Sequence, residues 1–176
     1  MKYLLAGLLL LAAPAEPPRI RAVITPLAAR KAAPPFRLAD ASNTSRLLSS
    51  YRGKIVLLDF WATECGGCKV EIPWFMDFAR QYKSSGLEVV GVSEDIPYEG
   101  LKDAAEGWSR VKPFAQKQKI NYTVVMGDDA VTKTYRVTAL PVTYLIDRQG
   151  RIAAEYVGLV DKDDIERNIR VLLKER

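Results

Sequence analysis

Two apolar runs with almost no polar interruption, residues 55–60 (Ile-Val-Leu-Leu-Asp-Phe) and 87–92 (Leu-Glu-Val-Val-Gly-Val), predict strands buried on both faces. Residues 65–84 between them follow a helical pattern, with Pro73 inside it and expected to kink it. Residues 35–40 read as a short first strand and 49–54, polar around Gly53, as a turn. Residues 93–107 read as an acidic loop punctuated by Pro97 and Gly100. A helix is expected over 108–119, where Pro113 is tolerable only near the first turn. A strand at 122–126 and a short helix at 129–135 follow. Residues 142–146 and 152–157 form a hairpin around Asp147-Arg148-Gln149-Gly150, with Gly150 suited to a left-handed position. The last helix starts at Asp161, a good N-cap, and buries Ile165, Ile169, Leu172 and Leu173. The order β-β-α-β-α-β-α-β-β-α predicts an α/β fold. Its central mixed sheet has a parallel core and an antiparallel edge hairpin, and helices flank both faces.

The first 35 residues differ in character. Lys2, the apolar residues 3–13 and Ala13-Pro14-Ala15 have the layout of an export signal, so residues 1–15 are expected to be cleaved. The apolar run is too short to span a bilayer, which takes about 20 residues. Residues 16–34, rich in Pro, Ala and Arg, read as a flexible tether, and the folded domain is expected over 35–176. Five of the 26 basic residues but only one of the 21 acidic ones lie before Phe36, so the net +5 belongs mostly to leader and tether. The nearly neutral remainder argues against a nucleic-acid partner.

The chain holds two cysteines, Cys65 and Cys68, and no histidine. A single short-range pair is no structural disulfide framework, and it sits where a buried strand gives way to a helix. That spacing places the first sulfur at the helix start and the second one turn in, within bonding reach. The helix N-terminus then favours the first thiolate. The absence of histidine removes Ser-His and Cys-His catalysis and most zinc or copper sites. Asp59 is a lone carboxyl in an apolar run, costly there unless partnered or protonated.

Four separated features make the chain resemble the thioredoxin superfamily, and within it the exported TlpA/ResA-type thiol-disulfide oxidoreductases. They are Asp59-Phe60-Trp61-Ala62 leading into the cysteine pair, Cys68-Lys69-Val70-Glu71-Ile72-Pro73, Leu140-Pro141, and the strand, hairpin and terminal helix that follow. The resemblance implies that Cys65 is the nucleophile and Cys68 the resolving thiol of a redox-active disulfide. It also implies that Asp59 relays a proton to Cys68 and that Glu71 tunes the cysteines. Pro141 is expected to be cis and to face the disulfide, and Leu140 to offer its backbone to an extended substrate. Trp61 and Glu64 are placed beside the substrate. Glu64 stands where this group usually has tryptophan, and Gly66-Gly67 replace the more common Gly-Pro or Glu-Pro.

The implied activity is reduction of protein disulfides in the periplasm by a monomer, soluble or loosely membrane-associated, without cofactor or metal. Apocytochrome c is a candidate substrate, and a membrane electron donor must recharge the dithiol. Three other readings compete. A redoxin-type thiol peroxidase needs a threonine three residues before the cysteine, whereas Thr63 is two before Cys65. A metal-binding module lacks ligands beyond the two cysteines. A redox-dead binding module is at odds with the intact pair.

Overall fold

The computed structural model describes residues 18–175, so the expected leader at 1–15 lies outside the described residues. Every residue of Ile55–Trp61 (β3) is buried, as the unbroken apolar run requires. β3 is the middle strand of a five-stranded sheet of order β5-β4-β3-β6-β7. Leu87–Ser93 (β4) and Thr123–Met126 (β5) continue it in parallel on one side. Val142–Ile146 (β6) runs antiparallel to β3 on the other side, and Ile152–Val157 (β7) antiparallel to β6. The mixed sheet is therefore parallel in one half and antiparallel in the other, and β6 reverses direction next to β3 itself. Gly150 in the β6–β7 turn has φ +73°, the left-handed conformation expected of it.

Alternation along β3 sends its side chains into two layers. Ile55 and Leu57 pack with Phe75 and Phe78 of Gly66–Tyr82 (α1) and with Ile165, Ile169 and Leu172 of Lys162–Lys174 (α5). Val56, Leu58 and Phe60 pack on the opposite face with Val131 of Asp129–Thr134 (α4) and with the small hairpin of Arg37–Ala39 (β1) and Ser45–Leu47 (β2). Asp59 and Trp61 share the α1 face with Leu57. Asp161 caps α5 as expected, accepting the Asp163 and Asp164 amides.

Three expectations change. The short helix Asp95–Glu99 (α2) forms inside the predicted acidic loop. Ala104–Gln118 (α3) starts earlier than expected because Asp103 accepts the Glu106 N–H while Glu106 reaches back to the Lys102 N–H, so Pro113 lies well past the first turn. The third correction concerns residues 18–34, which are not a free tether. Ile20 bonds through its backbone to Leu159 and Asp161, Thr25 to Ala153 and Ala33 to Gly150, and Ile20, Ala22 and Ile24 cover the α1/α5 core. The composition suggested mobility, but alternate apolar residues find a groove along β7 and α5.

Arg30 fastens this segment. Its guanidinium bonds Asp147 at 3.2 Å and Glu175 at 2.6 and 2.8 Å, and its side chain and that of Asp147 are almost wholly buried. Removing one partner of a buried ion pair typically costs about 3–5 kcal/mol. Arg30→Ala should lower unfolding stability by that order in urea titration, and deletion of residues 18–34 should cost at least as much. A change within experimental error in both would mean the segment adds nothing to the fold.

Candidate active site

α1 begins one residue after Cys65, which is its N-cap: the Cys65 sulfur accepts the Cys68 amide at 3.1 Å. The two sulfurs are bonded, with Cα atoms 5.3 Å apart. Cys65 keeps 5% of its surface open and Cys68 only 1%, so Cys65 is the more accessible of two buried cysteines. The helix N-terminus carries partial positive charge and stabilises a thiolate at Cys65 once the bond is opened. Glu64, next to it, is exposed and pairs with Lys69 at 3.3 Å, which offsets part of its negative charge.

The Leu140–Pro141 peptide is cis. A Cβ placed on Gly67 would lie 3.1 Å from Pro141 Cδ, so the proline rests directly on the Cys-Gly-Gly-Cys turn. Leu140 is partly exposed beside it and packs against the cluster that holds Trp61, Cys65 and Cys68. Trp61, expected beside the substrate, has no exposed surface; its ring packs at a tilt against Phe114 of α3 with centroids 5.4 Å apart, in the cluster that holds the two cysteines.

Two buried carboxyls lie on the α1 side of the sheet. Asp59 is fully buried and pairs across the sheet with Gly91 on one side and Thr143 on the other. Its Oδ1 accepts one long bond, 3.5 Å, from the Thr143 hydroxyl. Glu71 lies one turn beyond Cys68 on the buried face of α1, and its Oε1 accepts the Val160 N–H at 2.6 Å. It is no solvated helix glutamate. Burial pushes Asp59 up to about 8, and burial together with the charge of Asp59 pushes Glu71 up to about 9. At neutral pH the pair therefore holds protons in a place where ionised carboxylates would be costly.

Asp95 is a site residue that the sequence pattern did not single out. It is fully buried at the start of α2. It accepts the Thr63 N–H and hydroxyl and the Ser93 hydroxyl, the last at 2.8 Å, while the Glu94 N–H bonds Trp61 O at 2.7 Å. These bonds clamp the loop that delivers Cys65. The one available hint was an acidic residue directly after the apolar run, but acidity in a loop reads first as solvent exposure. The clamp also engages the Thr63 hydroxyl, leaving it unsuited to orient a peroxide.

Residues 29–155 match the AhpC/TSA family model. The chain is 34% identical over 146 residues to the thiol-disulfide oxidoreductase ResA of Geobacillus kaustophilus, covering 82% of this chain and 78% of that one. It is 32% identical over 134 residues to ResA of Bacillus subtilis, covering 76% and 69%. A crystal structure described as a thiol:disulfide interchange protein, DsbE, from Chlorobium tepidum superposes with a TM-score of 0.71 at 29% identity, over 82% of this chain and 96% of that one. With a bonded cysteine pair at a helix start under a cis-proline, the chain belongs to the AhpC/TSA family, among the ResA-like thiol-disulfide oxidoreductases of the thioredoxin superfamily.

Proposed function

We propose that this oxidoreductase works as an exported reductase of protein disulfides, with the Asp59–Glu71 pair as the proton acceptor of its second step. The observation that carries the reading is a bonded cysteine pair of which Cys65 is the less buried, with Glu71 one turn beyond Cys68 on the buried face of α1 and Asp59 buried on the same side of the sheet. In the reduced protein the Cys65 thiolate attacks a substrate disulfide. A mixed disulfide forms and one substrate sulfur leaves as thiolate. Cys68 then gives its proton to the ionised fraction of the pair, which grows as pH rises toward the folded values, and attacks the Cys65 sulfur. The Cys65–Cys68 bond forms, the mixed disulfide breaks, and the second substrate sulfur leaves with the bonding electrons. The two electrons from the protein dithiol end on the two substrate thiols, which take their protons from water.

The direction follows from electrostatics. A strong oxidant is one whose reduced thiolate is stabilised. Here Cys68 is almost wholly buried, and burial disfavours negative charge on the inner sulfur, which favours giving electrons away. Leu140, beside the cis-proline, supplies an edge for an extended substrate segment. The leader pattern at residues 1–15 supports export to a periplasm. Apocytochrome c fits as a substrate and a membrane-bound dithiol donor as the source of electrons, because an oxidising compartment does not recharge a reductase.

Cys65→Ser should abolish turnover of a protein disulfide, and Cys68→Ser should accumulate the mixed disulfide on Cys65, both read by non-reducing gels. Equal rates in wild type and Cys65→Ser would contradict the mechanism. In glutathione redox buffers the pair should titrate well below about −120 mV, the potential of a strong oxidant. A value at that potential would reverse the direction.

The carboxyl pair also sets a pH dependence of stability. An unfolded carboxyl titrates near pH 4, far below the folded values, so between the two the native state binds more protons than the unfolded chain. Stability therefore falls as pH rises through that window, by up to about 1.4 kcal/mol per pH unit for each group. Asp59→Asn removes one of these groups, and its urea midpoint should fall less steeply than that of wild type between about pH 5 and pH 8. Parallel slopes would mean that Asp59 is ionised in the folded protein.

A further inference from the structure

Among the described residues, four buried polar atoms on the α1 face of the sheet have no hydrogen-bond partner: Asp59 Oδ2, Glu71 Oε2, Trp61 Nε1 and the Tyr122 hydroxyl. They belong together. Asp59 is the β3 partner of Gly91 in β4. A single Cβ on Gly91 would lie 2.7 Å from Trp61 Nε1 and 3.1 Å from Tyr122 Cε2. The missing side chain at Gly91 therefore opens a space beside Asp59 into which both rings reach. The acids acting on the Tyr122 hydroxyl are Asp59 from β3 and Glu71 from α1, and together with burial they hold its proton on. Across Thr143, the Tyr156 hydroxyl of β7 and the Asp164 carboxylate of α5 are already bonded to each other.

The chemistry of the four atoms is complementary. The indole N–H and the phenol are donors at any pH near neutral, and each carboxyl has one free oxygen. Buried polar atoms left in this state are joined directly by small shifts or through an internal water. Tyr122 also has a second side. Its ring lines a cavity of about 590 Å³ that opens outward between α1, α3 and β5, next to Lys83, Trp108 and Lys112. The same side chain thus lines the cavity while its buried hydroxyl lies within the electrostatic influence of both acids.

We propose that Tyr122 is a positioning residue of the disulfide exchange: its hydroxyl, with the Trp61 indole, stabilises the carboxylate that takes the proton of Cys68, and its ring seals that carboxylate from the outer cavity. The inference deepens the proposed relay and depends on it for catalytic meaning. Its structural content is testable without turnover.

The two functions of the side chain separate in two variants. Tyr122→Phe keeps the seal and removes the donor, so the charged carboxylate loses support. Tyr122→Ala removes both and lets solvent in. In the oxidised protein, ¹³C-carboxyl NMR titration should place the Asp59 and Glu71 midpoints about one pH unit higher in Tyr122→Phe than in wild type, the size expected for a lost hydrogen bond to a charged group. In Tyr122→Ala the midpoints should move down toward the ordinary carboxylic range. A role confined to packing would leave the Phe midpoints at the wild-type values, and that result, or a downward shift in Phe, would overturn the inference. Turnover of wild type alone distinguishes the two levels. A wild type inactive on disulfides removes the reductase reading, while an active wild type with unshifted Phe midpoints removes only the role of Tyr122.

Discussion

Asp59 occupies the middle of the central strand with no solvent access and one long hydrogen bond, and much of the surrounding design answers to that single carboxyl. Burial without a partnering cation keeps its proton on at neutral pH, and Glu71, three residues past Cys68 on the inner face of α1, is held neutral partly by Asp59 itself. A proton store under a sulfur pair has to be built from the sheet upward. β3 carries Asp59 below the loop that it feeds into α1, and the parallel β3–β4 pairing brings Gly91 alongside to leave room. Such a store destabilises the fold as pH rises, and the cost is offset elsewhere by the packed core and by the Arg30 ion-pair cluster.

The cysteine turn is held from two sides. From outside, cis-Pro141 rests on Gly67, where any side chain would have to give way or push the proline back. Gly67 therefore reads as an adaptation to close approach, whereas a Cβ on Gly66 would meet open space. From inside, Asp95 gathers the Thr63 amide and hydroxyl together with the Ser93 hydroxyl. Cys65 is left as the more exposed of the two cysteines. This asymmetry is what a two-step exchange requires: an outer atom that meets the substrate and an inner one that meets only the outer.

Much of this was legible from residue order. The buried strands at 55–60 and 87–92, the Gly150 turn, the Asp161 cap and the cysteine pair all rest on local signals that tertiary structure does not override. Other features depend on contacts far apart in the chain. Residues 18–34 have the composition of a linker, and their docking is decided by β7 and α5 more than a hundred positions later. The α3 start was masked because Pro113 outweighed the quieter Asp103–Glu106 cap. Trp61 stands close to the cysteines in sequence, and strand alternation turns its ring inward onto Phe114. Tyr122 carries no sequence signal at all. Its relation to Asp59 exists only through Gly91, two strands meeting where a side chain is missing.

The central claim is that the buried pair accepts the proton of the resolving thiol, and it is tested most directly by watching that one step. A mixed disulfide prepared on Cys65 with a chromogenic thiol can be mixed into buffers of different pH and the release of the thiol followed in a single turnover. The account predicts that release in wild type tracks ionisation of the pair, and that Asp59→Asn with Glu71→Gln slows it by about tenfold or more, within the range that positioned acid-base groups contribute, and flattens its pH dependence. Release at the wild-type rate with the wild-type pH profile in that double variant would contradict it.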